Sequence, residues 1–319
     1  MSLRQRLGLS AAAVAILAAL GLVAPSYYVG LMTLALVYAV FAMSLNVLVG
    51  YTGLQSLGHA AFFGTGAYAT AITFHRFSQS FVLDLLAALA ASAFVAAVFG
   101  VLALRATGAY FLMATLALAQ VLWGLALGLR QITGGDDGLP GTTRPGFGPL
   151  DLASGGAYFL FVLVIFVCLA VAMAVFVRSP FGSALQGIRE SETRMRMLGY
   201  NTWLYKYVAF LIAGTLAGLS GALYVYYTGF VSTTEISVLL SAEALLMVIL
   251  GGPGTLLGPL LGAAAVVFLR NYLSSLPVIG ERWLFVLGVV YVLTVLVASR
   301  GIVGEVEVRL RRRRATAGA

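Results

Sequence analysis

Residues 183–201, SALQGIRESETRMRMLGYN, gather five charged side chains in a chain of which only 9% is charged. Between Ala184 and Leu198, the residues Ala184, Ile188, Met195 and Leu198 fall on one narrow stripe at ~100° per residue. Arg189, Glu190, Glu192, Arg194 and Arg196 take the rest of the circumference, which predicts one amphipathic helix. Ser183 with Gln186 three residues on predicts a capping box at its start, and Gly199 predicts a left-handed cap at its end. Glu190 to Arg194 and Glu192 to Arg196 are i, i+4 pairs with the acid first, each adding about 0.3 kcal/mol. At ~1.5 Å per residue the helix is about 22 Å long, too short and too charged to cross a bilayer. It must lie on a membrane face. A helix resting on headgroups carries mainly Lys and Arg on its polar side. Both signs here suit a groove in another protein with its own charge pattern.

The flanks explain why a membrane is involved. The 319 residues are 61% hydrophobic with a mean hydropathy of +1.01, well above the roughly 45–50% apolar usage of a soluble domain. No Asp, Glu, Lys or Arg stands between Arg6 and Arg76, room for about three spans at ~20 residues each. Further charge-free runs cover Leu85 to Leu104, Ala106 to Leu129, Leu152 to Val177, Tyr207 to Thr234, Ala244 to Leu269 and Trp283 to Ser299. The expectation is an all-α polytopic membrane protein of roughly eight to ten transmembrane helices, one membrane domain over residues 1–319, because a charge at the bilayer centre costs several kcal/mol. The opening MSLRQRLGLSAAAVAILAALGLVAPS has a basic start and an apolar run, the pattern of a cleaved signal peptide; the many spans that follow favour a retained signal anchor. The lone Cys168 reads as a buried, inert thiol. The net charge of +8 belongs to residues flanking spans and to the tail at 301–319, with RLRRRR from Arg309 to Arg314. Orientation and anionic lipid explain it better than nucleic acid.

Arg4 and Arg6 place the N-terminus in the cytoplasm, and the basic tail places the C-terminus there, so the number of spans is even. With ten, the loop at 178–206 follows the sixth span and is cytoplasmic as well. The segment Arg130 to Asp151, RQITGGDDGLPGTTRPGFGPLD, then lies outside, either as a turn-rich cover over the mouth or as a plain connector.

A second unusual stretch is SLNVLVGYTGLQSLGHAAFFGTGAYATA, Ser44 to Ala71. Each glycine in a helix costs about 1 kcal/mol, so Gly50, Gly53, Gly58, Gly64 and Gly66 need a reason. One is close helix packing, especially at Gly64 and Gly66. The other is an opened helix beside a solute path, where Asn46, Gln55, Ser56 and freed backbone meet a polar ligand. LMVILGGPGTLLGPLLGAAA repeats the order with Gly251, Gly254 and Gly258, both copies facing the same side. Candidate pathway residues are therefore Asn46, Gly50, Tyr51, Gly53, Gln55, Ser56, His59, Gly251 and Gly254. His59 is either a hydrogen-bonded packing residue or a proton or solute contact. It has no neighbouring His, Cys or carboxylate in the sequence to make a metal site. Glu235 and Glu243, the nearest candidates for ion coupling, read as solvated carboxylates at a span end.

FGSALQGIRESETRMRMLGYNTWLYKYVAFLIAGTLAGLSGALY, LNVLVGYTGLQSLGHAAFFGTGAYA, ITGGDDGLPG and GGPGTLLGPLLGA together resemble the permeases of the branched-chain amino acid class of ABC importers, the LivM type rather than its LivH partner. The similarity runs from about Tyr28 to Arg300. It implies that the family's loop glycine corresponds to Gly199 and that the helix before it inserts into a groove on the ATP-hydrolysing subunit. The coupling residues would be Ser183, Ile188, Arg189, Glu190, Glu192, Arg194, Arg196 and Gly199. Where the family usually has Gln before Leu, this chain has Leu54 before Gln55, which bears on where that amide points. The resemblance further implies a LivH-like permease partner, two cytoplasmic ABC ATPases holding ATP and magnesium, and an extracytoplasmic binding protein delivering leucine, isoleucine or valine, at a bacterial inner membrane. No cofactor is expected on this chain. Its only lysine, Lys206, follows Tyr205, so GxxxxGK[ST] cannot occur; if transport is ATP-driven, the nucleotide chemistry must come from another subunit. Alternatives are a permease for urea, short amides or other hydrophobic amino acids, and an ion-coupled secondary transporter. An intramembrane enzyme would need a convergent nucleophile and base, which the sequence lacks. One methylene in an apolar pocket is worth only about 1 kcal/mol or a little more, and no motif reveals it.

Overall fold

In lipid every backbone N–H and C=O must find its partner inside its own segment, so long apolar runs become helices. The structure, a computed structural model, describes residues 14–77, 80–140, 142–144, 146–147, 150–276, 283–297 and 301. The basic ends that carry the orientation argument lie outside these residues. The helices are α1 (Val14–Val23), α2 (Ser26–Asn46, continued by a π-helical turn at Val47–Thr52), α3 (His59–Arg76), α4 (Phe81–Ala103), α5 (Ala109–Gly128), the single turn α6 (Arg130–Thr133), α7 (Gly155–Arg178), α8 (Pro180–Glu190), α9 (Glu192–Met197), α10 (Thr202–Thr228), α11 (Val238–Gly251), α12 (Gly258–Ser275) and α13 (Trp283–Val297). Among the described residues, α2 with its π turn, α4, α5, α7 and α10 are long and apolar enough to cross a bilayer by themselves. The shorter α1, α3, α11, α12 and α13 complete the bundle among the described residues, with α8 and α9 lying between α7 and α10.

Burial sorts these helices. In α2 89% of the most apolar window is buried, against 22% in α5 and in α7, so α2 is the axis and α5 and α7 are the rim. Every residue from Ala35 to Thr52 is buried, and α7, α10, α11 and α12 pack around this rod. The rim displays Met113, Val121, Val164 and Val171, as a surface solvated by acyl chains should. Cys168 is exposed on the same face of α7, not buried as expected: an apolar run in a rim helix faces lipid, not core.

Lipid offers no hydrophobic drive between helices, so contact depends on close approach and polar staples. A Cβ on Gly66 would overlap the Gly218 backbone, and one on Gly221 would overlap the Phe63 carbonyl. The α3 and α10 backbones touch there. Staples converge on α10: Tyr158 Oη donates to the Leu223 carbonyl at 2.6 Å, Ser220 Oγ to the Val37 carbonyl at 2.7 Å, and Tyr226 Oη to Asp84 at 2.5 Å.

At one end of the bundle the 130–151 segment is a cover. Its strand β1 (Leu139–Pro140) pairs with a later strand; β2 (Gly146–Phe147) pairs with β3 (Leu150–Asp151); β4 (Phe230–Val231) is the partner of β1. His75 Nε2 reaches the Pro140 carbonyl at 2.7 Å, and Arg76 donates to the Gln131 carbonyl at 2.8 Å. The loop is clasped to α3 and to the strand after α10, more than a connector needs.

After β4 the chain turns back into the bundle. A 3-10 turn at Thr233–Ile236 sits against Gly64, so α11 starts at depth and runs 14 residues, about 21 Å at ~1.5 Å each. This corrects the reading of two acids. Glu235 and Glu243 are 8% and 6% exposed, because the re-entrant turn carries both inside. Glu235 caps the turn, accepting from Ser232 N at 2.8 Å and Ser232 Oγ at 2.9 Å.

Replacing Gly66 by Ala should lower the thermal midpoint of the detergent-purified protein by the equivalent of about 1–3 kcal/mol, the usual cost of overpacking. Gly124→Ala, where nothing lies within 4 Å, should hold it or raise it by up to the equivalent of about 1 kcal/mol. Equal midpoints for both variants would remove close approach as the basis of the α3–α10 contact.

Candidate functional site

A helix ends with carbonyls that have no intrahelical donor. At the end of α2 the π turn stops at Gly53, whose φ of +75° only glycine adopts freely, and the Gly53 and Leu54 amides both donate to the Leu48 carbonyl. The Gly50 carbonyl is passed over. Arg189, on α8, donates its Nη1 to it. The guanidinium also meets the negative end of the α2 dipole.

One turn earlier, Asn46 uses both ends of its amide on a distant loop. Its Nδ2 donates to the Thr255 carbonyl at 2.9 Å, and its Oδ1 accepts from Gly254 N at 2.8 Å. Any Cβ on Gly50 would collide with Asn46 Oδ1 and with the Gly254 backbone. Three segments far apart in sequence therefore meet at one point: the opened end of α2, the turn between α11 and α12, and α8. The two glycine-rich stretches face each other across this junction.

The remaining candidates spread around it. Gly53 lies against the Arg189 stem, where a Cβ would stand 3.3 Å from Cγ, and a Cβ on Gly251 would overlap the Gly258 carbonyl. Tyr51 is buried and Gln55 exposed, while Ser56 is buried with its Oγ accepting from Gly58 N at 3.3 Å. His59 is wholly buried, with Nε2 2.8 Å from Ser44 Oγ and its ring stacked on Phe41 at 5.4 Å. Asn46 and His59 are thus enclosed by protein groups.

The polar segment departs from its expected form. It is two helices, not one. α8 starts at Pro180 with Ser179 as its cap, Oγ accepting from Gly182 N at 3.2 Å, because proline is preorganised for the first helical position. Ser183 is inside the helix and donates to the Ser179 carbonyl at 3.1 Å, so the capping box with Gln186 does not form. Ser191 is extended, at φ −162° and ψ 99°, and caps α9. That break separates Glu190 from Arg194, and among the described contacts they form no pair. Glu192 and Arg196, both in α9, are paired at 2.6 Å. Gly199 is left-handed at φ +88°, as expected. The buried side of α8 is Gly182, Ala184, Leu185 and Ile188; Met195 packs beside Gly187, and Leu198 is exposed.

Glu192 has a role that the charge pattern did not show. It accepts from Lys206 and, at 3.0 Å, from Thr202 Oγ1, pinning α9 to the first turns of α10. Partial burial raises its pKa, but the hydrogen bond and charge of Lys206, with bonds from Arg196 and Thr202, outweigh this and hold it below the usual carboxylate range. The outward face left for a partner holds Glu190, Arg194, Met197, Leu198 and Tyr200. The one lysine of the chain, placed 14 residues after Glu192, was the available signal. Sequence reasoning also missed a cavity between α2, α10, α11 and α12, lined by Tyr38, Tyr224, Glu243 and Arg270 among others.

Comparison with known proteins gives a consistent pattern. Residues 27–295 match the family model described as the permease component of branched-chain amino acid transport systems. The chain is 30% identical over 302 residues to the high-affinity branched-chain amino acid transport system permease protein LivM of Escherichia coli strain K12, and 29% identical over 300 residues to that of Salmonella typhimurium. Each alignment covers 86% of this chain and 69% of the relative. A solved structure described as an inward-facing ABC transporter of the metal-chelate type aligns with a TM-score of 0.49 at 16% identity, covering 85% of this chain and 87% of the other.

Replacing Arg189 by Met strips the Gly50 carbonyl of its donor, a loss of about 1–3 kcal/mol. Amide exchange at 47–58 should then accelerate while the α3–α10 contact keeps its protection; unchanged exchange at 47–58 would remove Arg189 from the junction. A second outcome follows from Glu192. Its depressed pKa stabilises the loop fully above the ordinary carboxylate pKa, and the stabilisation is lost as pH falls through the lowered value. Exchange across 191–206 should therefore rise on acidification below about pH 4.5, and Glu192→Gln should show the fast exchange already at neutral pH, with no such pH step.

Proposed function

The chain belongs to the family of permease components of branched-chain amino acid transport systems, and from that membership we propose that it carries leucine, isoleucine and valine across a bacterial inner membrane as one half of a permease pair. The other half is a LivH-like subunit. Two cytoplasmic ATPases seat on α8 and α9 and hold the ATP and magnesium, and an extracytoplasmic binding protein delivers the solute above the 130–151 cover. The basic segments of the chain support placing 178–206 and both termini in the cytoplasm.

The observation that carries this reading is the Arg189 bond to the Gly50 carbonyl. A helix outside the bundle is joined through it to the most buried helix inside. When the ATPases close and shift α8, the junction moves with it, and the opened end of α2 and the turn before α12 are displaced together. That favours one of two packings of the bundle over the other, which is how nucleotide energy becomes access from one side.

The buried Glu243 favours a second reading, ion-coupled transport by this subunit without ATPases. Reconstitution separates the two. The complete assembly in vesicles should show ATP hydrolysis stimulated severalfold by leucine, isoleucine or valine, and no uptake when the ATPases are omitted. Glu190→Arg, on the outward face and free of the Glu192 cluster, should uncouple hydrolysis from uptake. Stimulation by urea alone would overturn the substrate, and gradient-driven accumulation by the subunit alone would overturn the class.

A further inference from the structure

The end of the bundle opposite the junction holds a cavity of about 210 Å³, somewhat below the roughly 300–1,000 Å³ typical of pockets for drug-sized ligands and suited to one small solute. Its walls come from α2, α10, α11 and α12, and they are chemically divided. Leu31, Leu34, Met247, Val266 and Val267 supply an apolar side; Tyr38, Tyr224, Glu243, Arg270, Asn271 and Ser274 supply a polar one. This is the division that an amino acid with an aliphatic side chain would match.

The two charges are the telling feature. Glu243 Oε2 and Arg270 Nη1 stand 3.5 Å apart, against about 2.7–2.9 Å for a closed charge-assisted bond. The Glu243 side chain is 7% exposed and that of Arg270 is 45% exposed. The bond that Arg270 donates to the buried Glu243 is therefore a long one for a charge pair. The neighbouring Glu235 does not share this condition, since Ser232 and Thr234 satisfy it. Resting on the permease reading above, we infer that this cavity is a recognition site for the zwitterionic head of the transported amino acid, the ammonium going to Glu243 and the carboxylate to Arg270. The aliphatic side chain lies against Leu34, Met247 and Val267. Urea and short amides carry neither charge, so the site discriminates against them.

The test uses the permease pair with its ATPases but without the binding protein, so that the latter's selectivity does not intrude. A Ser274→Cys reporter on the cavity wall, in a Cys168→Ser background, is alkylated in the presence of leucine, leucinamide or the 2-oxo analogue of leucine. Leucine should protect the thiol at concentrations about tenfold lower than either analogue, the worth of one charge-assisted contact. In Glu243→Gln the preference over the 2-oxo analogue should vanish while that over leucinamide stays; Arg270→Gln should do the converse. Equal protection by all three compounds in the otherwise unmodified assembly overturns the site, whether or not the charge variants assemble. Leucine-stimulated ATP hydrolysis in the complete system with no protection of the thiol overturns the site and leaves the permease reading standing. Stimulation by urea but not leucine overturns that reading, and this site with it.

Discussion

A carbonyl at the end of a buried helix has no water to turn to, and much of this molecule is arranged around that fact. The π turn and Gly53 redirect two amides to Leu48 and leave Gly50 without a donor. Arg189 is the group that meets it. Because the guanidinium is anchored on α8 and the carbonyl on α2, the positions of the two helices are linked. Gly50 cannot carry a side chain, since Asn46 and Gly254 already occupy that space. At the junction the Gly50 and Gly254 backbones therefore lie against each other, held by the Arg189 and Asn46 side chains.

α2 and α11, whose ends lead to the junction, also line the cavity. From Tyr38 to Asn46 on α2, and from Glu243 to Gly251 on α11, is about 12 Å along each at ~1.5 Å per residue. Both segments are almost wholly buried, and close-packed interiors move as units instead of bending smoothly. On the proposed coupling, a shift of α8 would reach the cavity wall on two sides. The deformable element is the π turn, the kind of local irregularity at which helices bend.

What could be read from the residues, and what could not, follows from how each feature is encoded. Spans were legible because the bilayer excludes charge. The amphipathy of 184–198 was legible because its period is local, but the break at Ser191 was not, since one extended residue hardly disturbs the stripe. Pro180 outranked Ser183 as the start because it fixes φ before any side chain can cap. Depth was hidden: the runs ending at Thr234 and starting at Ala244 look like ordinary spans, and nothing in hydropathy says that α11 begins inside the bundle. Ser232 with Glu235 three residues on was the one local sign of a turn there. Pairings such as Asn46 with Gly254 span over 200 residues and have no local trace.

The placement of charge bears on what the bundle can move. A pathway without fixed charges would have to hold a zwitterion by backbone dipoles alone, and the sequence suggested such a pathway. The fold brings a carboxylate from α11 and a guanidinium from α12 to one cavity, while Asn46 and His59, the more conspicuous polar residues, are buried and bonded to protein groups elsewhere. Glu243 and Arg270 sit on two helices joined at their other ends by the turn that Asn46 grips. Moving that turn changes the spacing of the two charges, and their attraction for a ligand bridging them varies inversely with distance. If the solute bridges these two charges, as proposed, the displacement that opens the path would also weaken its hold.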